Sequence, residues 1–378
     1  MSGPAAAVYR SGVLQAHKDF LPLTAETPRF SLGEGDTPLV EAPWIARWIG
    51  VRRVFCKLEG LNPTGSFKDR GMVVAVAKAA ERGARILVCA STGNTAASAA
   101  AYAARAKLDA VVLVPAGGVA ANKLLQARVY GARILQAEGN FEKVLDVARA
   151  VADEVTVALV NSVNPYRILG QATAAFEVFD ALGGVPDVLA LPVGNGGNIT
   201  AYWKGFTFLV SEGRAAQRPR MFGVQAAGAD PLVRGYPVAE PKTVASAIRI
   251  GRPATWDPAL AAARESGGQI RSVSDEKILA AQRELARREG IFCEPASAAP
   301  IAGLKEAAVD GWLNPESTCV AVLTGHGLKD PETASPGGEW RASIESVEAD
   351  VQSVRAALLG KVKATGSRRE RPSGALAK

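Results

Sequence analysis

Between Arg85 and Ala226 the sequence repeats one pattern: a short β-branched run, a polar turn, then an alanine-rich helical stretch. "RILVCA" (85–90) is followed by the helical "NTAASAAAYAARAKL", and "DAVVLVP" (109–115) by "NKLLQARVYG". "ARILQA" leads into "NFEKVLDVARAVADE", and then "TVALVN" follows. A second series contains "DVLALPVG", "ITAYWKGFTFLV" and "RMFGVQA", and beyond it a helix over about 275–289 and "STCVAVLTG". Strands buried on both faces and alternating with helices predict an α/β fold of parallel sheets with helices on both faces. Open sheets of this kind take ligands at the C-terminal ends of their strands, so the turns after the strands are where chemistry is expected.

The chain's 378 residues are enough for two lobes, and 48% hydrophobic residues with 38 glycines suit a packed α/β protein rather than a disordered one. No apolar run is long enough for a membrane span. The opening "MSGPAAAVYRSGV" lacks the basic start and long apolar core of a secretory signal. Cys56, Cys89, Cys293 and Cys319 form no C-x-x-C pair, so a reducing cytoplasm is the expected setting. His17 and His326, the only histidines, cannot form a metal pair at helical spacing. Net charge is +7, but the segment 351–378 holds seven basic residues against the single acid Glu370, so six of the seven excess charges sit there. The remaining body is nearly neutral, which argues against a nucleic-acid-binding surface on it.

Four sites at strand or helix ends could carry chemistry. In "NPTGSFKDRG" (62–71), Ser66 and Asp69 match a capping box, which places Lys68 in the first helical turn. The helix dipole disfavours a cation there, and a neutral amine or Schiff base escapes that cost. Position alone leaves a solvated lysine equally open. "STGNT" (91–95) is a polar, glycine-containing turn opening a helix, a setting suited to an anion. Gly194, Asn195, Gly196, Gly197 and Asn198 stand between a strand and a helix, where consecutive N–H groups can wrap a phosphate. The run is neither G-x-G-x-x-G nor a P-loop, so a monophosphate is expected rather than a dinucleotide or triphosphate. Thr324 follows the last strand. A lysine combined with a monophosphate cradle points to pyridoxal 5'-phosphate.

The chain also resembles the threonine synthases, fold-type-II pyridoxal-phosphate enzymes. The matching blocks include "EGDTPL", "KLEGLNPTGSFKDRGM", "ASTGNTAASAAAYAARA", "LVNSVNPYRILGQ", "ALPVGNGGNITAYWKG", "EPASAAPIAGL" and "LTGHGLKDP", from about Gly33 to Pro331. The resemblance implies a two-lobed fold similar to the tryptophan synthase β subunit. The larger, cofactor-binding lobe is expected from 1–68 and 166–338, and a smaller mobile lobe from 69–165. Lys68 would hold the cofactor as a Schiff base and move the substrate's protons. Asn94 would bond the cofactor's ring hydroxyl, the loop Gly194–Asn198 its phosphate, and Thr324 its pyridine nitrogen. The carboxylate of the substrate, O-phospho-L-homoserine, would lie on the turn containing Ser91, Thr92 and Thr95. Its phosphate would meet Asn161, Ser162 and Arg167. Phosphate would leave Cγ and water add at Cβ, giving L-threonine. A homodimer is also implied, and His326 is expected to have no catalytic part.

Two other readings remain open at this point. A threonine/serine dehydratase or cysteine synthase would share Lys68 and the phosphate cradle but need no second phosphate site, which makes Arg167 the discriminating residue. A phosphate-binding or regulatory protein on the same fold would need no cofactor. Beyond the matched blocks, Trp340, Ile344, Val347, Val351, Val354 and Leu358 predict one helical stripe packed on the body or a partner subunit. A basic disordered tail is expected after it. Neither a membrane nor a nucleic acid is expected as a partner.

Overall fold

A computed structural model describes residues 11–91, 93–116, 121–139, 141–152, 156–162, 164–334, 344 and 346–366. Ten strands form two sheets among these residues. In chain order they are β1 (Leu39–Glu41), β2 (Arg53–Leu58), β3 (Ile86–Ala90), β4 (Asp109–Pro115), β5 (Arg133–Ala137), β6 (Val157–Leu159), β7 (Val188–Pro192), β8 (Arg220–Ala226), β9 (Gln269–Val273) and β10 (Thr318–Leu323). The larger sheet has the order β1-β2-β10-β7-β8-β9 and the smaller β5-β4-β3-β6. All pairings are parallel except β1 with β2, an antiparallel edge on an otherwise parallel sheet. The fold is α/β, as expected, and the strands read from the sequence pattern all form. β1, β2 and β9 were not among them.

The buried runs explain why the sheets are covered on both faces. Val188, Leu189, Ala190 and Leu191 of β7 are fully buried, as are Val320, Ala321 and Val322 of β10. Alternate residues of these strands feed two different apolar clusters, one on each side of the large sheet. A third cluster joins the small sheet to the helices α1 (Lys68–Glu81) and α2 (Asn94–Ala106). The alanine-rich face of α2 buries Ala96, Ala99, Ala100 and Ala103 there, with small side chains allowing close approach.

Three further helices frame the site: α3 (Pro165–Leu182), α4 (Gly197–Ser211) and α5 (Pro295–Val309). α1 and α3 cross with their backbones nearly touching. A Cβ on Gly170 would stand 2.0 Å from the Arg70 carbonyl oxygen, and one on Gly71 2.5 Å from that of Arg167. Next to this crossing, Arg70 bonds Glu59 and Glu177, each at 2.6 Å, and Lys57 bonds Glu177 at 2.7 Å.

Residues 1–334 form one compact unit and residues 335–378 another. In the second unit α6 (Val351–Gly366) is the described helix. Ile344 and residues 346–350 lie outside it, so this described part of the expected stripe is not helical, and Lys361–Gly366, expected to be disordered, is helical. Trp340 itself, and the tail beyond Gly366, lie outside the described residues. No helix among the described residues is long and apolar enough to cross a membrane.

Candidate active site

Lys68 is the first residue of α1, as the sequence implied, but the capping there differs. Phe67 occupies the N-cap without a side-chain cap bond, and the buried Ser66 hydroxyl finds no partner among the described residues. Asp69 is fully buried and accepts from Thr64 N at 2.7 Å, Thr64 Oγ1 at 2.6 Å and Ser98 Oγ at 2.6 Å. It therefore ties the turn before Lys68 to α2 instead of forming a capping box with Ser66. The same turn is held to the end of β10, since Phe67 N donates to the Thr324 carbonyl at 3.0 Å.

The Lys68 amine lies 4.3 Å from the centroid of the Phe67 ring. Its pKa is pushed down to about 7, mostly by burial and then by the positive charge of Arg167, with Glu294 opposing. Burial rather than the helix dipole is the main cause. An ordinary lysine is protonated throughout the neutral range; this one is poised to give and take a proton there.

Arg167 stands in the first turn of α3, whose N-cap is Asn164. It is 1% exposed, donates to the Val160 carbonyl at 3.1 Å through Nη1, and its Nε finds no partner among the described residues. No carboxylate pairs with it among the described residues. Burial pushes its pKa down to about 10, so it stays charged near neutrality. A buried, unpaired guanidinium is costly unless an anion arrives to meet it. Asn161, just upstream, spends its amide on both backbone groups of Ala90, at 2.9 and 2.8 Å. That pairing locks the end of β3, from which the Ser91 turn starts. Ser162 is half-buried beside it.

In that turn the Ser91 hydroxyl accepts from Gly93 N at 3.3 Å, Asn94 opens α2, and Thr95 is buried. Thr92 lies outside the described residues. Across the site, the loop Gly194–Asn198 leads from β7 into α4 with Gly196 at φ 82° as N-cap. A Cβ on Gly196 would stand 2.7 Å from the Thr255 carbonyl oxygen. The Asn195 carbonyl accepts from Thr255 N and from its hydroxyl. The backbone N–H groups of 194–198 find no acceptor among the described residues. Five free donors at a helix N-terminus form an anion cradle.

Thr324 is buried, its hydroxyl 2.9 Å from that of Ser297 on α5, which also accepts from Gly325 N at 2.9 Å. Glu294, the N-cap of α5, makes no cap bond and instead accepts from Asn94 Nδ2 at 3.3 and 3.1 Å. Sequence reasoning assigned no role to Glu294, Ser297 or the Asp69–Ser98 contact. A glutamate where Ser, Thr, Asp or Asn would cap best was the available signal for Glu294. His326 accepts from Leu328 N at 3.2 Å and caps a short turn.

A family model described as "Pyridoxal-phosphate dependent enzyme" matches residues 30–325. The threonine synthase of Halalkalibacterium halodurans is 56% identical over 85% of this chain and 91% of its own length. That of Methanocaldococcus jannaschii is 47% identical over 86% of this chain and 83% of its own. The chain belongs to the threonine synthase family of pyridoxal-phosphate-dependent enzymes. Among solved structures, the T.th. threonine deaminase superposes with TM-score 0.64 at 29% identity, covering 77% of this chain and 92% of the other. Maize serine racemase superposes at 0.67 and 21% identity over 82% and 93%, a likeness of fold. The cofactor of this family is pyridoxal 5'-phosphate, and the threonine synthase-like residues fit it. The free N–H groups of 194–198 suit its phosphate, Lys68 supplies an amine that is about half neutral near pH 7, and Thr324 offers a buried neutral hydroxyl.

Proposed function

We propose that this chain converts O-phospho-L-homoserine and water into L-threonine and phosphate, with Lys68 as the catalytic residue. One observation carries the reading beyond the family: Arg167 is buried, charged and unpaired by any carboxylate among the described residues, and its field reaches Lys68. A substrate with a carboxylate and a phosphate needs two anion sites besides the cofactor's own. The turn at Ser91, Thr92 and Thr95 supplies one. Arg167 with Ser162 and Asn161 supplies the other, Asn161 also setting the turn through Ala90.

Asn94 and Thr324 would hold the cofactor ring and Gly194, Asn195, Gly196, Gly197 and Asn198 its phosphate. When bound, pyridoxal phosphate supplies the electron sink that makes the protons on Cα and Cβ acidic enough to remove. Lys68 Nζ takes those protons and returns one to Cα at the end. Arg167 would hold the phosphate as it leaves Cγ with the bonding electron pair; the other proton taken by Lys68 goes to Cγ, water adds its hydroxyl at Cβ, and the proton left from water goes to the released phosphate. The buried Thr324 hydroxyl would face the ring nitrogen and, being neutral, would not protonate it as a carboxylate would, which tempers the electron sink.

The smaller lobe is proposed to be 69–165, mobile against 1–68 with 166–338, since every strand of the four-stranded sheet lies between Ile86 and Leu159. The segment 339–378 is proposed as a separate C-terminal part, although the first compact unit already ends at Ala334. A cytoplasmic homodimer belongs to the same proposal. All four cysteines are free thiols, as a reducing compartment leaves them, and the dimer rests on the family resemblance.

The test is phosphate release and threonine formation from O-phospho-L-homoserine, repeated with Arg167→Ala. Removing one partner of a buried charge pair costs about 2–5 kcal/mol. The expected loss in kcat/KM is therefore about 30-fold to several thousand-fold. Slow deamination of serine or threonine, which lack the phosphate, should fall far less. Equal loss on both substrate types with unchanged cofactor content would place the substrate phosphate elsewhere.

A further inference from the structure

Glu294 is a buried carboxylate with no basic side chain in ion-pair contact among the described residues. Its side-chain partner is the Asn94 amide, reached across 200 positions of sequence and from the other sheet's helices. It stands at the N-terminus of α5, 4% exposed, with its backbone N–H donating to the Gly325 carbonyl at 3.0 Å. Gly325 leaves it room: a Cβ there would lie 2.4 Å from Glu294 Oε1. The carboxylate is thus walled in by Gly325 on one side and faces Asn94 on the other.

A carboxylate only accepts hydrogen bonds, whereas a carboxamide has one donating and one accepting end. Both Glu294 oxygens face Asn94 Nδ2, so the donating end of Asn94 is fixed toward them. One of its two N–H bonds is used there and the second stays available beside it, at the start of α2. Without Glu294 the amide could turn over and present its oxygen instead. An oxygen would repel the electron-rich ring oxygen that Asn94 is placed to meet.

We propose that Glu294 is a positioning residue that sets the Asn94 amide so that it donates to the cofactor's ring oxygen. The proposal rests on the functional reading above. It concerns binding of the cofactor, not the substrate phosphate site, so it can fail while that reading stands.

The experiment uses the full-length chain stripped of cofactor and titrated with pyridoxal 5'-phosphate, with binding read by tryptophan fluorescence and by the visible band of the complex. Glu294→Gln keeps the shape but can present either end to Asn94. Glu294→Ala removes the partner, and Asn94→Ala removes the group acted upon. Loss of an oriented, buried hydrogen bond predicts about fivefold to a hundredfold weaker cofactor binding in Glu294→Gln, together with a shifted band. In the Asn94→Ala background, Glu294→Gln should have almost no added effect, because the two residues form one unit. Unchanged affinity and band in Glu294→Gln would overturn the proposal. So would an equal loss from Glu294→Gln whether or not Asn94 is present. Glu294→Gln carries the test if the alanine variant does not fold. A wild-type chain that takes up no cofactor would overturn the functional reading itself.

Discussion

The chemistry at Lys68 can be tested without substrate. With its pKa near 7, the amine of the cofactor-free chain is half neutral at physiological pH, while an ordinary lysine is neutral only above about 10.4. Its acylation rate should rise with a midpoint near pH 7, whereas the surface lysines respond some three units higher. A midpoint near 10 would mean that the amine is solvated. Lys68→Ala should abolish turnover and leave the fold intact; near-normal turnover would remove Lys68 from catalysis. Lys68, Arg167 and the glycine loop were legible because each sits in a local pattern: a helix start, a strand-end turn, a run of small residues. Glu294 and Asp69 were not. The partner of Glu294 lies 200 positions away. The spacing of Ser66 and Asp69 matched a capping box, yet Asp69 bonds Thr64 and Ser98 instead. Spacing shows what a side chain can reach along its own helix, but not which other helix will be brought against it.

Two helices carry Lys68 and Arg167 in their first turns, and their crossing fixes how those turns face each other. The contact requires glycine at Gly71 and Gly170, because any Cβ would overlap a backbone carbonyl. Backbone cannot move aside as a flexible side chain can, so Gly170→Ala should cost at least about 1–3 kcal/mol. Gly184 makes a control, since a Cβ there meets nothing within 4 Å. Urea unfolding should show a clear loss for Gly170→Ala and a change within about 0.5 kcal/mol for Gly184→Ala. Equal stability of the two variants would mean that the helices slide apart freely. The sequence held no sign of this crossing, because a glycine inside a helix reads only as a mild penalty. The missed strands have similar causes. β1 is three residues long and antiparallel, β9 is a half-buried edge, and β2 pairs with β10 from the opposite end of the chain. Buried strands flanked by strong helices, such as β4 and β8, declared themselves.

At the scale of the whole molecule, function and charge are separated. Every proposed site residue lies in the compact unit of residues 1–334, while six of the seven excess positive charges lie in 351–378. The substrate is anionic, so a basic segment could raise its capture rate by electrostatic steering without touching the site. Steering of that kind is screened by salt, because the Debye length shrinks from about 30 Å at 0.01 M to about 8 Å at 0.15 M. A buried arginine such as Arg167 is screened far less. The two contributions can therefore be separated by ionic strength. Removal of 335–378 should leave kcat/KM for O-phospho-L-homoserine within about twofold at both low and physiological salt, if Arg167 dominates recognition. The Arg167→Ala loss should persist at both salt concentrations. A rise in KM of the shortened chain confined to low salt would assign the basic segment a part in substrate capture. A rise at both would mean that 335–378 supports the site itself, and that the family-like body is not sufficient for activity.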